Sequence, residues 1–193
     1  MKILILMIFC TCLYSAELYE LECRQDLLLL SEKTALNEAG ISEEPGNRGC
    51  VTKYLDAVRL REGNPYCAAA QYWAFAKAAE LLGIDKNDIP FPRTGLANAV
   101  FNHFKNKGIK QRFVPRRHSF IIWRRGKTVF GHIERIIKVG KAGWVHTIAF
   151  NVKFNKNGIT YEGAAVKRRN IYHPLGRMNI RGIAALKGVR DEF

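Results

Sequence analysis

The sequence predicts an α+β domain, with helices first and an antiparallel sheet packed against them. Three observations lead there. Before Gly108, apolar residues recur at helical spacing among strong helix formers, and the breaks fall at glycine and proline. After Pro115, short runs rich in Ile, Val, Phe and Trp alternate with turn residues, Asn157-Gly158 among them. No internal repeat or low-complexity segment interrupts this order, and 193 residues, 48% of them hydrophobic, suffice for one ordinary core.

Taken in order, Met1-Lys2 gives a short positive start, and an apolar run then ends at Ser15-Ala16, the pattern of a secretory signal cut after Ala16. Such a signal places the protein outside the cytoplasm, secreted or periplasmic, with no integral membrane span once it is removed. The expected organisation is then a signal at 1–16, an N-terminal helical segment at 17–40 and the main domain at 41–193. Leu18 to Ala39 mixes apolar and charged residues at helical spacing and stops at Gly40, which predicts one helix. Ile41 to Gly49 is turn-forming, and a short helix should run from about Cys50 to Arg59. A third helix follows Gly63-Asn64-Pro65 and ends at Gly83; a fourth, with Leu96, Val100, Phe101 and Phe104 on one face, starts after Thr94 and stops near Gly108. The expected strands are Ser119–Trp123, Gly131–Val139, Trp144–Phe154, Ile159–Tyr161 with Ala164–Arg168, and Asn179–Leu186.

Charge is distributed unevenly. Before Pro65 there are ten acidic and seven basic residues; from Pro65 onward, seven acidic and twenty-four basic. A cationic C-terminal part of this size favours an anionic polymer as partner, a nucleic acid or an acidic cell-envelope glycan, or else provides a solubilising face. Removal of the signal leaves Cys23, Cys50 and Cys67, an odd number, so either Cys23 and Cys50 pair and Cys67 stays free, or all three are thiols. No cysteine or histidine spacing resembles a zinc site.

The chemistry centres on Cys67. Gly63-Asn64-Pro65 cannot continue a preceding helix, so Cys67 falls in the first turn of the next one, where unpaired N–H groups and the helix dipole favour a thiolate. His132 opens a strand after Gly131, and a thiol with an imidazole brought to it is the nucleophile and proton shuttle of acyl transfer. On the strand Trp144–Phe154, Val145, Thr147, Ala149 and Asn151 share one face, so Asn151 is a candidate to orient the imidazole; Glu134, two residues beyond His132 on its own face, is the alternative. The Cys67 backbone N–H is the natural oxyanion donor, with Asn64, Tyr66 and Gln71 nearby.

The succession Glu43-Glu44-Pro45-Gly46-Asn47, Asn64-Pro65-Tyr66-Cys67-Ala68-Ala69 with Trp73, Pro92-Arg93-Thr94-Gly95, Ile121-Ile122-Trp123-Arg124-Arg125-Gly126 and Gly131-His132-Ile133 resembles the CHAP-type papain-like amidases and endopeptidases related to the NlpC group. The resemblance spans roughly Ile41 to Leu186. It implies a papain-like fold, a Cys67-His132-Asn151 site, cleavage of amide bonds in peptidoglycan peptides, and no metal or organic cofactor; a monomer is the expected state. The family's Gly-Asp before the histidine strand corresponds to His118-Ser119 here, and its Glu-Gly-Asn corresponds to Ala149-Phe150-Asn151, which keeps the Asn and loses the Glu. Two functions from different classes are thereby expected: a thiol hydrolase of peptidoglycan, or a catalytically weakened basic protein that holds an anionic polymer.

Overall fold

The computed structural model describes residues 16–190; the signal expected at 1–16 lies outside them but for Ala16. Seven strands, β1 (Glu17–Arg24), β2 (Ile109–Gln111), β3 (Phe120–Arg124), β4 (Gly131–Val139), β5 (Trp144–Lys156), β6 (Ile159–Asn170) and β7 (Asn179–Val189), form one sheet in the order β2-β1-β7-β3-β4-β5-β6. Four helices accompany it: α1 (Gln25–Asn37), α2 (Thr52–Ala57), α3 (Cys67–Leu82) and α4 (Ala97–Lys107). The α+β class holds, but the sheet is mixed, because β1 runs parallel to β7 while every other neighbouring pair is antiparallel.

The single helix expected over Leu18–Ala39 is a strand followed by a helix. Tyr19, Leu21 and Cys23 recur with period two and face the helices, whereas Leu18 packs with Ile183 and Ala185 on the other side. β1 thus belongs to the main sheet and does not form a separate helical segment. Arg24, with extended φ and ψ, precedes α1, and Asp26 accepts from the Leu27 N–H in the first turn.

The helices seat on the sheet through two apolar clusters. Phe75 of α3, Phe91 and Phe104 meet Phe120 and Ile122 of β3 in the larger one. In the other, Ala69, Ala70 and Ala74 of α3 lie against Ile148 and Phe150 of β5. All three alanines are fully buried, so small side chains let the helix approach β5 closely. A buried guanidinium, Arg135 of β4, lies over the Phe75 and Phe120 rings and donates to Ser31 Oγ and the Leu28 carbonyl, tying α1 to the sheet. β5 and β6 join through Asn157 and Gly158, both at positive φ, the two-residue turn that the sequence signals.

Candidate functional site

Cys67 is the first residue of α3, and its approach is fixed from behind. Asn47 accepts from the Gly63 N–H through its carbonyl oxygen and donates its side-chain amide to the Gly63 carbonyl, with Gly63 at a φ of 90° that suits glycine. The Tyr66 hydroxyl donates to Glu43 Oε2 at 2.6 Å. Tyr66 occupies the N-cap position without a side-chain cap bond, so the first-turn N–H groups of α3 are left to polarise the space around the Cys67 sulphur. Gln71, one turn on, is buried and donates to the Ile148 carbonyl at 3.2 Å. Its task is to pin α3 to β5, which takes it out of the set of oxyanion donors.

His132 lies on β4 beside a parting of strands. The β4–β5 ladder ends at the pair Glu134↔Ala149, and β5 then bulges at Asn151, whose φ is 58°. His132 stands two residues past that last pair, still held on its other side by Trp123 of β3. Gly131 before it allows this approach, since a Cβ there would come within 2.5 Å of the Trp123 carbonyl oxygen. At this opening the Cys67 thiol comes near enough to the imidazole to favour its protonated form. Both are nearly buried, Cys67 at 4% exposure and His132 at 7%.

The imidazole is oriented from its own strand. His132 Nε2 donates to Glu134 Oε1 at 3.1 Å, which leaves Nδ1 as the ring nitrogen for the thiol. Glu134 is fully buried and accepts further bonds from Thr147 Oγ1 at 2.6 Å and from Arg169 Nη2 at 2.7 Å. Burial opposes its charge, but His132 and Arg169 outweigh that and hold the carboxyl down at about 2. Burial likewise opposes charge on His132, and Cys67 and Glu134 override it, pushing the imidazole up to about 10.

Asn151, expected as the third member, does something else. Its side-chain amide donates to Asn47 Oδ1 at 2.8 Å. The bulge turns it toward the loop ahead of α3, so it fixes the two halves of the site together while Glu134 orients the ring. The sequence did contain the signal for Glu134, a carboxylate two residues from the histidine on one strand face. Arg169 and Thr147, which hold that carboxylate, carry no motif and come together only through the β5–β6 register.

No protein-family model, curated protein or solved structure matches the chain. Of the remaining histidines, His118 is paired with buried Glu32 at 2.8 Å, which exposed Arg117 also bonds, His103 faces the Pro90 carbonyl, and His146 and His173 are exposed. The three described cysteines are unpaired: Cys23 is buried, with its thiol pushed up to about 12 by burial, and Cys50 is exposed with its sulphur against the Ser42 carbonyl. The Cys23–Cys50 pairing is therefore not formed, because one thiol points into the core and the other to solvent. Among the described residues no cluster of three metal-ligating side chains occurs, and no helix is long and apolar enough to cross a membrane.

Proposed function

We propose that the protein is a thiol hydrolase that cleaves amide bonds in peptidoglycan peptides. The observation that carries this reading is the placing of Cys67 at a helix start beside His132, whose ring is bonded to the buried Glu134 carboxylate. In that arrangement the imidazole, pushed up to about 10, already holds the proton given up by the thiol, and the Cys67 thiolate attacks the amide carbonyl. The backbone N–H groups at the start of α3 stabilise the oxyanion, and His132 returns the proton to the leaving amine. Water, deprotonated by the same imidazole, then releases the acyl group from the thioester. Glu134 keeps the ring in the tautomer that presents Nδ1 to sulphur and stabilises the imidazolium, a role the family resemblance gives to Asn151.

The substrate class comes from the resemblance, and export from the signal pattern at Met1–Ala16, with a monomer the expected state. The formal net charge of +14 favours a second reading, a basic protein that holds an anionic envelope polymer or nucleic acid without turnover. Sacculi digested with the purified chain, followed by mass spectrometry of released fragments, separate the two. Cleavage products from wild type that vanish with both Cys67→Ala and His132→Ala, while both variants still sediment with sacculi, support the hydrolase. Sedimentation without products from wild type supports the binding protein.

A further inference from the structure

An open cavity of about 310 Å³ begins at His132, with Lys153, Lys167 and Arg169 on its polar side and Leu175 and Met178 on its apolar side. The register of β5 and β6 builds the polar side. Lys167 lies opposite Thr147 and Arg169 opposite Val145, so both cations stand over the strand that carries Glu134's partner Thr147. Glu134 itself cannot neutralise them, because its oxygens are already taken by His132, Thr147 and Arg169. The Lys167 ammonium donates to the main-chain carbonyl of Lys153 and not to a carboxylate. Among the described residues neither lysine has an ion pair, while Arg169 spends its charge on Glu134. Partial burial of Lys167 and the adjoining Arg169 both press against its charge, with Glu134 opposing them, so an arriving anion would find a cation short of counter-charge.

Resting on the thiol-hydrolase reading, we propose that this wall is a subsite for a carboxylate carried next to the amide bond that Cys67 attacks. The apolar part of the same substrate residue lies on Leu175 and Met178. Half-open lysines select such a group by charge more than by shape, which steers acidic substrates toward His132 and discriminates against their neutral amides. The substrate class is then narrower than amides in general: peptides whose residue beside the scissile bond bears a free carboxylate.

Two alkylating probes test this without knowledge of the natural substrate: bromoacetyl-alanine, with a free carboxylate, and bromoacetyl-alaninamide, its neutral counterpart. In each case the Cys67 sulphur bonds to the methylene carbon, and bromide leaves with the electron pair of the carbon–bromine bond. The quantity read is the ratio of the two labelling rates at Cys67, from peptide mass spectrometry, with exposed Cys50 as the internal reference. The expected result is a ratio above that at Cys50 which falls about tenfold in the Lys153→Gln/Lys167→Gln double variant, since a partly exposed charge contributes up to about fivefold. Lys77→Gln, which removes a charge from the outer face of α3, leaves the ratio unchanged. A ratio equal in wild type and double variant overturns the subsite and leaves the thiol reading standing. Failure of both probes to label Cys67 ahead of Cys50 overturns the thiol reading itself, and the subsite with it.

Discussion

Replacing Glu134 with Gln keeps the shape of the side chain and removes the one buried negative charge that faces His132. Its worth follows from the carboxylate, which the fold holds at about 2 against an ordinary 4.5. At about 1.4 kcal/mol per pKa unit, that depression corresponds to about 3 kcal/mol of stability at neutral pH. The figure is taken from Glu134 because the larger displacement at His132 also contains the Cys67 contact. It agrees with the roughly 3–5 kcal/mol lost when one partner of a buried ion pair is removed, here leaving Arg169 and the imidazole uncompensated. The pH dependence has a definite sign. A depressed carboxyl stabilises the fold above about 4.5 and ceases to do so as pH falls through about 2. A raised imidazole stabilises it below about 6.5, and that contribution disappears as pH rises through about 10. Urea denaturation of wild type and Glu134→Gln from pH 2 to pH 10 should therefore show a difference of about 3 kcal/mol near pH 5–6 that shrinks toward both extremes. Iodoacetamide labelling of Cys67 at pH 7 should slow by about 100-fold, the low end of what a positioned acid–base group supplies. A variant that keeps wild-type stability within about 0.5 kcal/mol, the range of an ordinary surface change, and labels at the wild-type rate, would falsify the assignment of Glu134 as the residue that positions the ring.

Asn151→Ala breaks the bond to Asn47 and places alanine at a φ of 58°, so it should cost about 1–2 kcal/mol in denaturation while leaving Cys67 labelling far faster than in Glu134→Gln; the reverse order of the two variants would restore Asn151 as the orienting group. Gly131→Ala forces a Cβ against the Trp123 carbonyl and must shift the start of β4, so Cys67 labelling should fall although neither member of the dyad is altered, and an unchanged rate would mean that the strand start has slack. Under native conditions Cys50 should label readily and Cys23 only after unfolding; intact mass of the described chain should show no loss of two hydrogens, and a linked Cys23–Cys50 peptide would contradict this.

Much of this fold was legible because its signals are local. Pro65 before Cys67 and Gly83 after Leu82 bracket α3, Gly131 marks the start of β4, and Asn157-Gly158 names the β5–β6 turn. β1 passes for part of a helix in the sequence because its period-two row of Tyr19, Leu21 and Cys23 runs into α1 with no glycine or proline between, so the two periodicities merge into one amphipathic stretch. β2, three residues long, has too little pattern to register. β6 was read as two pieces because Gly163 breaks its composition, although the strand runs through, with the glycine pressed against the Ile41 carbonyl. At the site, Cys67 and His132 were legible from their places at element starts. The choice between Asn151 and Glu134 was not, since it depends on where β5 leaves β4, a property of the register and not of either residue.

The parallel pairing of β1 with β7 sets the order in which the molecule can be completed. In the sheet, β7 stands between the pair β2-β1 and the run β3 to β6, and it is the strand through which those two parts are joined. Glu17 finds its neighbour only when Gly182 has been made. Until then the hairpins that carry His132 and Glu134 can assemble among themselves, while β1 and the α1 face behind it wait with an unpaired edge. A chain cut short before Asn179 is left as two unjoined pieces of sheet, so completion of the whole domain is a report that the last strand has arrived.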